Sequence, residues 1–227
     1  GAIWSCCSQD FGVSSVVDRF AQIEPVLFIA ADGYYYNGKT HTRLEEIDAV
    51  RKSLQSIRDT LLINYTGAIR NEVQPGITIY DTLLEGGNEL PVFEAVPFDH
   101  PLWILYSSGT TGAPKAITHS HGGCLLEHLK YLAFHDAVHP GERFFWYTTT
   151  GWMMWNFLHG SMMLGATIVL YDGSPGYPDI DRLWAFSAEK GIQHFGTSAP
   201  YLVACMKEVI YPGSQHDLTS LRSIGST

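Results

Sequence analysis

Short apolar or β-branched runs recur along the chain: VLFIA, TLLI, LWILY, KAIT, RFFW, ATIVLY and IQHF. Segments with helical spacing separate most of them. Each run is too short for a buried helix and has the composition of a strand buried on both faces. Strands that alternate with helices pair most readily through crossovers, so the spacing predicts an α/β fold with mainly parallel sheets and flanking helices.

Helix is predicted over Ser14–Ile23, with Val16, Val17, Phe20 and Ile23 inward, and over Arg43–Ile57, with Leu44, Ile47, Val50, Leu54 and Ile57 at helical spacing. Gly123–Phe134 is a helix candidate on which Leu125, Leu126, Leu129, Leu132 and Ala133 line one face. GWMMWNFLHGSMML is apolar nearly all round, as a helix buried on several sides would be. Ile180–Lys190 is closed by Gly191, and Ala199–Ile210 opens with Thr197 or Ser198 as N-cap and Pro200 in its first turn. Asn37-Gly38 inside YYYNGKTH signals a hairpin. Residues 67–101 are rich in Gly, Pro and Asn and read mostly as surface loop, with weak structure inside.

Charge narrows the function classes. Lys and Arg total 14 against 23 Asp and Glu, a formal net charge of −9, with no basic run. Nucleic acid is therefore not an expected partner. Gly151–Tyr171 is the one stretch that could pass for a membrane span, but Asn156, His159, Ser161, Thr167 and two internal glycines interrupt it, so a buried helix followed by a strand fits better. The cysteines are Cys6, Cys7, Cys124 and Cys205; two are adjacent and none forms a CxxC pair, which suggests a reduced, cytoplasmic-type compartment. GAIWSCC does not resemble a signal peptide.

The chemistry concentrates after LWILY, where the strand runs into SSGTTGAPK, Ser107–Lys115. Ligands of open α/β sheets gather at the carboxyl ends of strands. Gly109 and Gly112 allow amides to turn inward, Ser107, Ser108, Thr110 and Thr111 add hydroxyls, and Lys115 adds a cation. Such a set suits a polyphosphate. A plain turn would need neither four hydroxyls nor the lysine. The Walker loop also ends in Lys, but its spacing differs and a helix follows it, whereas Ala113-Pro114 precedes Lys115 here and a strand follows.

YSSGTTGAPKAITHSHGG resembles the signature loop of the acyl-adenylate-forming enzymes, which include acyl-CoA synthetases, luciferases and nonribosomal-peptide adenylation domains. WSCCSQDFG, DGYYYNGK, FFWYTTTGWMMWNFLHG, LYDGSPGYPD and HFGTSAPYL narrow the resemblance to the branch that joins acetoacetate to coenzyme A. The resemblance implies activation of a carboxylic acid by ATP, with Mg²⁺ carried on the phosphates, and transfer to coenzyme A. It places Ser107, Ser108, Gly109, Thr110, Thr111, Gly112 and Lys115 around the leaving phosphates, with Thr110, Thr111 and Lys115 as the catalytic candidates, Lys115 either contacting phosphate or anchoring the loop. Thr197 and Ser198 would face the adenylate, and Gly225, Ser226 and Thr227 would begin the adenine loop. Trp152, Met153 and Met154 would wall a short acid pocket, unless they are simply core, and Met154→Gly would then widen acid acceptance. Asn156 could donate to a β-ketone or bond within its helix. Lys39 lies where relatives aim a cation at a coenzyme A phosphate, or is a solvated surface lysine.

His119-x-His121, with His128, His135 and His139 nearby, does not match a zinc pattern, and no metal ligand set is expected among residues 1–227. The resemblance implies that residues 1–227 form part of a large N-terminal AMP-binding domain, cut at both ends, with the C-terminal domain and its lysine lying elsewhere, so that the stretch alone is inactive. A ligase for acetate, propionate or another keto acid and a non-catalytic nucleotide-binding remnant are the competing readings.

Overall fold

The alternating runs form strands and helices in the computed structural model, which describes residues 1–69, 74–85, 87, 90–107 and 112–227. They sort into two compact units, Gly1–Ser120 and His121–Thr227.

In the first unit the elements run β1 (Trp4–Ser5), α1 (Val13–Phe20), β2 (Leu27–Ala31), β3 (Gly33–Tyr36), β4 (Lys39–Thr42), α2 (Leu44–Ser53), β5 (Asp59–Ile63), β6 (Ile77–Ile79), α3 (Tyr80–Leu84), β7 (Pro101–Tyr106) and β8 (Ala116–Ser120). Strands β2, β5 and β6 form a parallel sheet, and β1, β7 and β8 form a mixed one in which β8 runs antiparallel to β7. Strands β3 and β4 form a hairpin across Asn37 and Gly38, whose φ of 49° and 70° are the left-handed pair that a two-residue hairpin turn demands. Phe20, Val50 and Leu54 are buried between α1 and α2, with Val13, Val16, Val17 and Phe28 packed around them. The structure within residues 67–101 is two short elements among the described residues. Ile77–Ile79 joins the sheet beside β5, and Tyr80–Leu84 turns into a short helix.

Asp32 directly follows β2 and is fully buried. Its carboxylate accepts the N–H groups of Tyr65 (2.9 Å), Thr66 (2.8 Å) and Ala68 (2.7 Å). Burial pushes the carboxyl up, but these amides outweigh it and hold the group below the usual range.

The second unit contains α4 (His121–Lys130), a π-helical turn at Tyr131–His135, β9 (Arg143–Trp146), α5 (Met153–Gly160) with a 3₁₀ turn at Ser161–Leu164, β10 (Thr167–Val169), α6 (Arg182–Lys190), β11 (His194–Thr197), α7 (Ala199–Lys207), α8 (Pro212–Gln215) and β12 (Ser223–Ser226). Its four strands are all parallel, in the order β10-β9-β11-β12. One core holds Leu132, Phe144, Trp146, Met154, Phe157 and Leu158, and another holds Phe145, Leu183, Trp184, Phe195 and Tyr201. Gly191 ends α6 at φ 55°, and the Ser198 hydroxyl caps α7 by accepting the Tyr201 N–H. Among the described residues no helix is long and apolar enough to cross a membrane.

One inner face differs from the periodicity reading. In α4, Leu125 and Leu126 are 47% and 60% exposed, and the inward stripe is Cys124, His128 and then Leu132. The cause lies on α5. A Cβ on Gly160 would stand 2.3 Å from His128 Nδ1, so the missing side chain lets the imidazole lie against that helix and fixes the rotation of α4. The apolar stretch at 151–164 is also not buried all round, since Met153, Met162 and Met163 reach solvent.

At the amino ends of the second sheet, His194 Nε2 meets Glu142 Oε2 at 2.9 Å, and Arg222 and the His139 amide also bond to the Glu142 carboxylate. Burial pushes that carboxyl up, but His194, the His139 N–H and Arg222 together hold it at about 2 against an ordinary 4.5. A depressed carboxylate contributes stability that is complete above its unfolded value and is lost as pH falls through the folded one. Unfolding free energy is therefore expected to drop by about 2 kcal/mol between pH 4.5 and pH 2 on account of this residue. Acid titration of Glu142→Gln, followed by denaturant melts, should show a flatter loss across that window; an unchanged slope would refute the assignment.

Candidate active site

Each unit carries part of the residues that the sequence singles out. In the first unit the signature loop is the tip of the β7–β8 hairpin, above the pair Tyr106 and Ala116. Its neck is closed twice, since the Ser107 N–H donates to the Lys115 carbonyl at 3.1 Å and the Lys115 N–H donates to Ser107 Oγ at 3.1 Å. Ser107 thus uses its hydroxyl oxygen to hold the neck. The Lys115 side chain is exposed and makes no ion pair among the described residues. Ser108, Gly109, Thr110 and Thr111 lie outside the described residues.

Gly112 is exposed, and a Cβ there would meet no atom of the described residues within 4 Å. The outer edge of the neck is held by a residue that sequence reasoning missed. Gln22 Nε2 donates to the Pro114 carbonyl at 2.8 Å, and the Ala116 N–H donates to Gln22 Oε1 at 3.1 Å. Lys39 stands apart at the β3–β4 turn, exposed and opposite Tyr36.

In the second unit the register of β11 with β12 brings together Thr197 and Ser226 and sets Gly196 beside Gly225. The Ala199 N–H donates to the Thr227 carbonyl at 3.3 Å. Thr197 is fully buried, and Ser198 spends its hydroxyl oxygen on the α7 cap. Gly225 has a structural reason to be glycine, because a Cβ would lie 2.7 Å from the Trp146 ring. Met154 is buried within a core cluster, Trp152 packs against that cluster, and Met153 is 48% exposed. Asn156 is buried with no bond recorded for its Oδ1 among the described residues.

The histidines are dispersed into separate roles. His119 Nδ1 accepts from Trp103 Nε1 at 3.0 Å, His128 packs on Phe157, and His135 lies against Tyr131. Among the described residues no group of three or more His, Cys, Asp or Glu side chains could hold a metal. All four cysteines are free thiols, and burial pushes the Cys7 thiol up to about 12, too high for a ready nucleophile.

A β7–β8 connection pinned at its neck by Ser107 and Lys115, within an α/β fold of mixed and parallel sheets, is what the described residues show of the signature loop's setting. The chain belongs to the AMP-binding enzyme family, whose model matches residues 1–227. It is 50% identical over 231 residues to the acetoacetyl-coenzyme A synthetase of Rhizobium meliloti (strain 1021) and 42% identical over 234 residues to the acetoacetyl-CoA synthetase of Gallus gallus. Both alignments cover 100% of this chain and 35% of the relative. The solved acetoacetyl-CoA synthetase from Streptomyces lividans superposes with a TM-score of 0.92 at 49% identity, covering 100% of this chain and 34% of that one. The chain therefore spans about a third of the length of the relatives it matches.

Proposed function

We propose that this chain is part of the large N-terminal AMP-binding domain of an acid–thiol ligase that makes acetoacetyl-CoA from acetoacetate, ATP and coenzyme A. In the first step a carboxylate oxygen bonds to the α-phosphorus of ATP and pyrophosphate leaves. In the second the coenzyme A sulfur bonds to the acyl carbon and AMP leaves. Both steps depend on positioning and charge neutralisation more than on a protein nucleophile. Ser107, Thr110, Thr111 and the open backbone at Gly112 receive the departing β- and γ-phosphates, with Mg²⁺ arriving on the nucleotide, and the exposed Lys115 ammonium offsets their charge. Thr197, Ser198 and the segment from Gly225 to Thr227 form the adenylate-facing strand ends. Trp152, Met153 and Met154 bound the acid, and Lys39 faces coenzyme A.

The acid is argued from the relatives. What supports acetoacetate is 50% identity across the whole chain to a protein named acetoacetyl-coenzyme A synthetase. Acid-dependent ATP–pyrophosphate exchange, measured on the protein expressed from its complete gene, is the test. Acetoacetate is expected to drive exchange more than 10-fold faster than acetate or propionate, a difference of about 1.4 kcal/mol in the barrier. Met154→Gly is expected to narrow that ratio. Preference for another acid would overturn the acetoacetate assignment, and no acid-dependent exchange at all would favour a nucleotide-binding remnant. The 227 residues alone are expected to form no AMP.

A further inference from the structure

Resting on that reading of the loop, we propose that Gln22 is a positioning residue for Lys115, acting as a one-residue edge strand on the outer side of the loop's neck. In an extended chain the N–H and C=O of one residue point to one edge, and those of its neighbours point to the other. The Lys115 N–H and C=O both bond inward to Ser107, each at 3.1 Å. The Pro114 C=O and the Ala116 N–H consequently face outward, where a sheet would place its next strand. No strand lies there among the described residues, since β8 closes its sheet in the order β1-β7-β8. Gln22 fills the vacancy with a side chain, giving an N–H to Pro114 at 2.8 Å and taking one from Ala116 at 3.1 Å. The second N–H of its amide goes to the Asp18 carbonyl at 2.8 Å, so the amide plane is committed on every side that faces protein.

The platform under Gln22 is rigid. Phe20, two residues earlier, is buried in the core between α1 and α2. The Tyr106 hydroxyl, at the end of β7, donates to the Arg19 carbonyl at 3.1 Å. The turn that carries Gln22 is thereby tied to the strand that enters the loop as well as to the residue on either side of Lys115. The lysine's backbone is fixed on both edges while its side chain is exposed and makes no ion pair among the described residues. Pre-paid order of this kind shows up in ligand binding, because a phosphate that meets a positioned ammonium loses less in ordering it.

The test uses the protein expressed from its complete gene and reads the MgATP dependence of acid-driven pyrophosphate exchange. Gln22→Ala is expected to raise KM for MgATP about 10-fold with the KM for the acid unchanged. Gln22→Glu, which keeps the acceptor for Ala116 but loses both donors, is expected to do the same. Gln22 is exposed, so the melting temperature of each variant should match that of the parent. In a Lys115→Ala background Gln22→Ala should add less than about 2-fold, since its partner in the effect is gone. An unchanged KM for MgATP in both Gln22 variants, or an equal effect with and without Lys115, overturns the proposal while leaving the loop's role intact. No change in Lys115→Ala itself would remove the lysine's part in MgATP binding, and this proposal with it.

Discussion

Gly196→Ala is expected to destabilise the second unit by about 3 kcal/mol, far more than one methyl group normally does inside a strand. The reason is the indole of Trp146. Trp146 pairs with Gly196 across β9 and β11, and Gly196 pairs with Gly225 across β11 and β12. The ring lies over both glycines. A Cβ at position 196 would come within 2.1 Å of Cδ2, and one at position 225 within 2.7 Å of Cη2 and Cζ3. The indole has little room to retreat, because Phe157 packs edge-on against it at 5.7 Å and the ring is only 9% exposed. Gly225→Ala meets the far edge of the ring and should cost less, about 1–2 kcal/mol. Denaturant melts in the parent and in a Trp146→Leu background decide the matter. The penalty of Gly196→Ala should fall below about 1 kcal/mol once the indole is gone; an equal penalty in both backgrounds would show that the indole is not its cause.

Much of the fold is legible because its signals are local. The β3–β4 hairpin follows from Asn37-Gly38, the end of α6 from Gly191, and the start of α7 from Ser198 and Pro200, and each sits where those residues direct it. The two central strands of the second sheet, β9 and β11, are short runs buried almost throughout. Legibility fails where one element reads another. The rotation of α4 is matched to a missing Cβ at Gly160, on a different helix, so of the predicted face Leu132 is buried while Leu125 and Leu126 turn outward. Ile77–Ile79 is β-branched throughout but only three residues long within a Gly/Pro/Asn-rich stretch, and its pairing with β5 is what makes it a strand. The loop shows the same division. Its hydroxyls, glycines and lysine stand out in the sequence, and Ser107 and Lys115 do meet at the neck. Gln22 does not stand out, because its partners lie 92 and 94 positions away and an amide that completes a sheet edge leaves no local pattern.

Asp32 is a further case of long-range dependence, and it carries the other large effect. Asp32→Asn is expected to lower the stability of the first unit by about 3–4 kcal/mol, although the change removes no volume. The side chain is fully buried and accepts two N–H groups on Oδ1, from Tyr65 and Thr66, and one on Oδ2, from Ala68. An asparagine can turn its oxygen toward one side only. Its NH₂ must then face the Ala68 N–H or the Tyr65 and Thr66 pair, leaving buried donors opposed to donors. The backbone of Asp32 adds to the strain of any shift, since its N–H donates to the Ile63 carbonyl at 2.9 Å and its C=O accepts from the Arg43 N–H at 2.8 Å. One residue thus joins the end of β2, the exit of β5 and the return of the hairpin that bears Lys39. The same geometry sets the pH response. A carboxyl held below its ordinary 3.8 contributes fully above that value and loses its contribution as pH falls below it, whereas the asparagine variant should show no such component. Amide exchange at Tyr65, Thr66 and Ala68 is the sharpest readout. Protection at all three is expected to fall by at least about 100-fold in Asp32→Asn at neutral pH, and retention of parental protection would mean that the loop holds its own shape without the carboxylate.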